Sequence, residues 1–242
     1  MADSALTMPR CLPTSTGNVA PHMRTAALWA SLCVGLGACA ATSPSPETPA
    51  YQHRFEHAEQ WAKEFDDPSR DSWQEPERVL AAMQLAPGMT VADIGAGTGY
   101  FEPRLSRAVG ASGKILALDV EPDMVTHLRD RAARERLDNV EARQVAPDDP
   151  GLAASSVDRV LIVDTWHHIA NRIAYGARLR ATLKPGGEVV VVDFRQDAHR
   201  GPPPEHRIVP DEVGRELAAA GLSTRIVDAG LPEQYVVIGT LR

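Results

Sequence analysis

The stretch Thr90 to Phe101, TVADIGAGTGYF, constrains the fold of this chain more than any other. A short apolar run ends at Ile94, three glycines follow at alternate positions, and Phe101-Glu102-Pro103-Arg104-Leu105 opens a helical pattern. The order predicts a buried strand, a tight glycine turn and a helix. Glycine admits positive φ and has no Cβ, so the backbone of such a turn approaches a ligand closely, and the helix N-terminus adds unpaired N–H groups. A nucleotide-like ligand suits that arrangement, whereas a bare turn would need only one glycine.

The spacing excludes one class of ligand. The dinucleotide fingerprint G-x-G-x-x-G requires glycine at position 100, where this chain has Tyr100. A nicotinamide-dependent reductase is therefore disfavoured. With Asp93 two residues ahead of the first glycine, Asp93-Ile94-Gly95-Ala96-Gly97-Thr98-Gly99 resembles the first motif of class I S-adenosylmethionine-dependent methyltransferases. The resemblance implies S-adenosylmethionine as cofactor, contacted by Asp93, Gly95, Ala96, Gly97, Thr98 and Gly99.

The elements that follow are read in the same way. Gly113 to Val120 reads as a second strand, with Asp119 about 20 residues beyond the turn, where a carboxylate can accept hydrogen bonds from both ribose hydroxyls. Asp119, with Val120 beside it, is a cofactor candidate; its competing role is to cap the helix from Pro122 to Arg134. In the family, the residue at the place of Met124 packs near the adenine, although methionine at helical spacing also suits a core. After a third strand, Val140 to Val145, the family places a side chain against the adenine amino group. Asp148 is the candidate there, with turn capping as its alternative.

Ser156 to Val163 reads as the fourth strand. Its exit, Asp164-Thr165-Trp166-His167-His168, falls where open parallel sheets bind ligands, beyond the carboxyl ends of strands. Asp164 is thus a candidate for both cofactor and catalysis. His167, His168 and His206 are candidate bases, because imidazole titrates near neutral pH, and each also fits a structural hydrogen bond. Paired histidines at this place resemble those of many small-molecule methyltransferases, and the Asn-Pro-Pro-Tyr type of sequence found in amino-methylating nucleic-acid enzymes is absent. Leu183-Lys184-Pro185-Gly186-Gly187, another family element, stops a helix before the valine-rich strand Glu188 to Phe194. Arg195 to Arg207 is too proline-rich for helix, and a helix over Pro210 to Ala220 precedes two terminal strands, Ser223 to Val227 and Gln234 to Leu241.

This succession predicts an α/β fold: a Rossmann-like seven-stranded methyltransferase sheet, mostly parallel with an antiparallel last strand and helices on both faces, over residues 85–242. Ahead of it, residues 53–84 read as a helical lid segment, with a helix from His53 to Phe65 and a polar stretch carrying Trp73, which also fits a surface loop. His53 and His57 would stand i, i+4 on that helix and, with Asp164, His167, His168, Glu205 and His206, raise a metal alternative. Solvated histidines are the preferred reading, so no metal is expected.

The N-terminus suggests a compartment. Ala26 to Ala38 is an uncharged apolar run of signal-peptide length, too short for the roughly 18 to 20 residues of a spanning helix, and residues 40–52 form a polar tether. Leu36-Gly37-Ala38-Cys39 resembles the bacterial lipobox. That likeness implies a leader over residues 1–39, lipidation of Cys39, a membrane link only through that anchor, and a place on the periplasmic side of a bacterial cell envelope. If the signal is not used, the chain is cytoplasmic; Met23-Arg24 is an alternative start.

Beyond Cys39 the chain has no cysteine, which excludes disulfides and thiolate metal sites and disfavours arsenic as the methyl acceptor. Net charge is -7, and no Lys/Arg block tracks a phosphate backbone, so nucleic acid is not an expected partner. The expected acceptor is a small molecule or lipid. A rival reading is a non-catalytic, cofactor-binding envelope lipoprotein on the same fold.

Overall fold

The computed structural model describes residues 50–242. The leader, Cys39 and most of the tether lie outside the described residues. Seven strands form one sheet: β1 (Thr90–Ile94), β2 (Lys114–Asp119), β3 (Val140–Gln144), β4 (Val157–Val163), β5 (Leu183–Phe194), β6 (Ser223–Val227) and β7 (Gln234–Thr240). Their order is β3-β2-β1-β4-β5-β7-β6, and β7 alone runs against its neighbours. The expected sheet is present. A register of Val191 on Val237 and Val192 on Val236 joins β5 to β7, so the valine-rich strand is central and pairs on both edges.

Period-two alternation explains why the sheet takes helices on both faces. In β5, Val189 and Val191 point into one core with Leu179, Val213 and Leu217, while Val190 and Val192 point into the other with Met83, Leu105 and Val109. All four valines are fully buried, each worth roughly 1.5–3 kcal/mol. The first face carries α6 (Arg172–Thr182) and α7 (Pro210–Ala219), and the second carries α3 (Pro76–Met83) and α4 (Glu102–Val109). Helix α5 (Pro122–Glu135) packs Val125 and Leu128 on Ala117 and Ala142 near the β3 edge.

Two local readings are corrected. The helix expected from His53 begins only at Ala58, as α1 (Ala58–Phe65), with His57 left-handed at φ 65° ahead of it. His53 and His57 therefore do not share a helix face. The polar stretch before Pro76 contains a short helix, α2 (Arg70–Gln74), ended by Glu75 at φ 45°. Proline at 76 cannot continue a helix from its N-terminal side, which forces the break.

Candidate active site

The strand order reverses between β1 and β4, and a cavity of about 660 Å³ opens beyond their carboxyl ends. Its floor is Asp93 and Gly95 to Thr98, and Asp119, Val120, Glu121 and Met124 form one wall. Opposite stand Asp164, Thr165, His167 and His168. Most of the expected cofactor residues are thus brought together.

The glycine turn has a different reason for each glycine. Gly95 has φ 71°, and a Cβ there would lie 2.4 Å from Thr165 Oγ1. Gly97 has φ 57°, and a Cβ would point into open cavity, 3.8 Å from the Phe65 ring. Its N–H donates to Asp119 Oδ2 at 2.9 Å, and Glu121 N–H donates to Oδ1 at 2.9 Å. Asp119 therefore ties the β2 exit to the turn and faces the cavity; it does not cap the following helix, whose N-cap is Glu121. Gly99, at φ 89°, faces Leu128 and Arg131 and does not line the cavity; it shapes the turn from behind.

Acid and base groups gather at the β4 exit. Asp164 has φ 52° and accepts a hydrogen bond from Gln234 Nε2. Burial pushes its carboxyl up to about 7, against the pull of Arg70. Arg70, from α2, stands 3.8 Å from Asp164 and donates to Phe65 O and Gln74 Oε1. Its guanidinium lies 4.0 Å from the Tyr100 ring centroid.

His167 is 3% exposed, and its Nδ1 lies 2.8 Å from Asp193 Oδ1 and 3.0 Å from Oδ2. A ring nitrogen between carboxylate oxygens carries the proton, which leaves Nε2 as the basic nitrogen. Among the described residues Nε2 has no hydrogen-bond partner. Burial opposes protonation of the ring, but the Asp193 carboxylate outweighs it and the net shift is upward. Asp193 is itself fixed by the Phe194 and His167 N–H groups, at 2.8 and 3.3 Å. His168 has the opposite character: burial and then His167 push it down to about 4, and its Nδ1 donates to Tyr51 O at 2.6 Å. It is a neutral pin for the N-terminal segment.

That segment covers the cavity. Tyr51 N–H donates to His167 O at 2.8 Å, and Arg54 pairs with Glu121 at 3.0 and 3.1 Å. Phe55, Trp61 and Phe65 form an aromatic wall, with centroids 5.0 to 5.6 Å apart. Trp73, the aromatic of the polar stretch, lines the cavity and stacks at 6.0 Å on Phe194.

Besides Gly99, two candidates fall outside the cavity. Asp148 is 78% exposed at its side chain and pairs with Arg178 at 3.3 Å, because the turn after β3 points it away from the cavity. His206 packs its ring 4.8 Å from Tyr51 and does not line the cavity; prolines 202 to 204 carry the chain around it. Arg70, Asp193, Gln234 and Glu121 were missed by sequence reasoning. Only Asp193, a lone acid closing a valine run, carried a signal.

Comparison with known proteins agrees with this geometry. Residues 91–187 match the family described as Methyltransferase domain. A SAM-dependent methyltransferase from Aquifex aeolicus superposes with a TM-score of 0.72 at 31% identity, covering 78% of this chain and 100% of its own. The ubiquinone/menaquinone biosynthesis C-methyltransferase UbiE of Shewanella pealeana is 30% identical over 117 residues, 47% of this chain and 45% of its own. An arsenite methyltransferase from Halobacterium salinarum is 30% identical over 121 residues, 50% of this chain and 30% of its own. This chain therefore spans less than half the length of the curated relatives it matches.

Proposed function

This chain belongs to the S-adenosylmethionine-dependent methyltransferases, with S-adenosylmethionine as cofactor, and on that premise we propose that it methylates a small planar molecule or lipid whose nucleophile gives up a proton to His167. The observation that carries the reading is the buried His167–Asp193 pair at the edge of an aromatic-lined cavity.

The residues fit the cofactor. A side chain at Gly97 would occupy the space beside Asp119, and Asp93, Asp119, Met124 and Asp164 surround that space. When bound, the cofactor supplies an electrophilic methyl group on a sulfonium. Positioning the nucleophile against that methyl is the main task of the protein, and effective molarities show it can supply roughly 7 to 11 kcal/mol. The aromatic wall of Phe55, Trp61 and Phe65 excludes water and offers flat surfaces to a planar acceptor. Asp193 holds His167 in the tautomer whose Nε2 accepts a proton, and its charge stabilises the imidazolium that results.

The name of the Shewanella relative, a C-methyltransferase of quinone biosynthesis, supports an aromatic acceptor with an ionisable hydroxyl. The histidine–aspartate pair also weighs against the non-catalytic lipoprotein, because a binding module does not need an oriented base. We further place the enzyme at a bacterial envelope through Cys39; among the described residues no helix is long and apolar enough to cross a membrane. Lipid labelling that is lost in Cys39→Ala would support the anchor.

The deciding experiment is calorimetric titration of the full chain with S-adenosylmethionine and its demethylated product, followed by transfer of labelled methyl to a panel of phenols and quinols. Micromolar binding with label in a phenolic acceptor supports the reading. Binding with label only in acceptors that lose no proton overturns the role of His167.

A further inference from the structure

Glu102 is the first residue of α4, directly behind the glycine turn, and it is 1% exposed. Neither of its carboxyl oxygens receives a hydrogen bond from an N–H or O–H of another described residue. Its carboxyl instead faces that of Asp93, at the end of β1, within hydrogen-bonding reach. Two carboxylates cannot form a hydrogen bond, and two buried like charges in contact repel strongly. A bond between these groups exists only with a proton between them. A Cβ at Gly99 would meet Glu102 Oε2 at 3.3 Å, so the turn closes tightly over the pair.

The surrounding charges do not supply another partner. Arg131, from α5, pulls on Glu102 electrostatically, but it donates to Asp66 at 2.8 Å, Thr98 O at 3.0 Å and Glu135 at 3.0 Å. Arg70, from α2, and Asp119, at the end of β2, act on Asp93 with opposite signs. Burial is the dominant influence on both acids and raises both carboxyls above the usual carboxylate range.

We infer that Glu102 is a positioning residue for the cofactor: it shares one proton with Asp93, and this bridge fixes the Asp93 carboxyl and the start of α4 beneath the glycine turn. Asp93 lines the cavity and Glu102 does not, so Glu102 acts only through Asp93. With one proton the pair carries a single negative charge. Loss of that proton places two anions in contact in a dry site, pushes Glu102 away and loosens the turn against which the cofactor rests. This inference rests on the cofactor and is independent of the methyl acceptor.

The test is the affinity of the full chain for S-adenosylhomocysteine, by calorimetry, from pH 6 to pH 10 in wild type, Glu102→Gln and Glu102→Ala. Glutamine keeps a donor toward Asp93 that cannot ionise. The ratio of wild-type to Glu102→Gln affinity cancels the ionisation of the ligand and of Asp119, Asp164, Arg70 and Arg131. The expected result is near-equal affinity at low pH and a ratio that turns against wild type on the alkaline side, by up to about tenfold per pH unit, the ceiling for one linked proton. Glu102→Ala should bind more weakly at every pH. A ratio that stays constant with pH, or Glu102→Gln binding as weakly as Glu102→Ala, overturns the proton bridge. If the alanine variant does not fold, the glutamine profile still decides. Infrared spectra give a second readout: protonated-carboxyl absorption in wild type beyond that shared with Glu102→Gln, with identical spectra overturning the inference.

Discussion

Replacing Gly95 and Gly97 by alanine, one at a time, separates folding from ligand access within a single turn. Both residues have positive φ, 71° and 57°, where an L side chain costs roughly 1–2 kcal/mol. Their surroundings differ. The new methyl at position 95 would lie 2.4 Å from Thr165 Oγ1 and 2.5 Å from its Cγ2, an overlap that must be relieved by moving the β4 exit. Overpacking of that kind costs typically about 1–3 kcal/mol. Gly95→Ala should therefore lose about 2–5 kcal/mol and, at roughly 2–4 °C per kcal/mol for a chain of this size, melt about 4–20 °C lower. The methyl at position 97 meets nothing closer than Phe65 at 3.8 Å, so Gly97→Ala should lose only about 1–2 kcal/mol. It does, however, project into the cofactor space and should weaken binding at least tenfold. Thermal melts and calorimetric titration with S-adenosylhomocysteine read both effects. Thr165→Ala removes both offending atoms, so it should restore about 1–3 kcal/mol to Gly95→Ala in a double-mutant cycle. Strict additivity of the two substitutions, or a Gly97→Ala variant less stable than Gly95→Ala, would refute the reasoning.

Other outcomes follow from the same geometry. Asp193→Asn should cut turnover by about 10²–10⁴-fold, since it frees His167 from its tautomer, and leave cofactor affinity within about twofold; parallel loss of both in steady-state kinetics and calorimetry would mean a structural role. Asp119→Ala should weaken cofactor binding more than tenfold, and unchanged calorimetric affinity would remove the ribose assignment. Asp164 has its carboxyl raised to about 7 from an unfolded value near 3.8, so the stability linked to its neutral form is complete below pH about 4 and is lost as pH rises through 7. Urea unfolding should then show a shallower decline between pH 5 and pH 8 in Asp164→Asn than in wild type, and equal slopes would contradict this.

The order of elements, the seven-stranded sheet and most of the cavity floor were legible in the sequence. Each depends on contacts local along the chain: Asp93 to Thr98 are consecutive, a run of valines marks a strand buried on both faces, and glycine at alternate positions marks a turn built on positive φ. Composition also carried the absence of thiol chemistry beyond Cys39. Tertiary structure alone decided which side chains complete the site. Asp193 meets His167 only because β5 lies beside β4, 26 residues away, and Gln234 reaches Asp164 only because β7 returns antiparallel beside β5. Asp148 and His206 failed as candidates for the same reason in reverse: the loops that hold them leave the sheet, and no periodicity reports which way a loop turns. A sequence records the spacing along a strand, but the distance between strands is set by the hydrogen-bonded register of the whole sheet, and the proton partners of this site lie across that register.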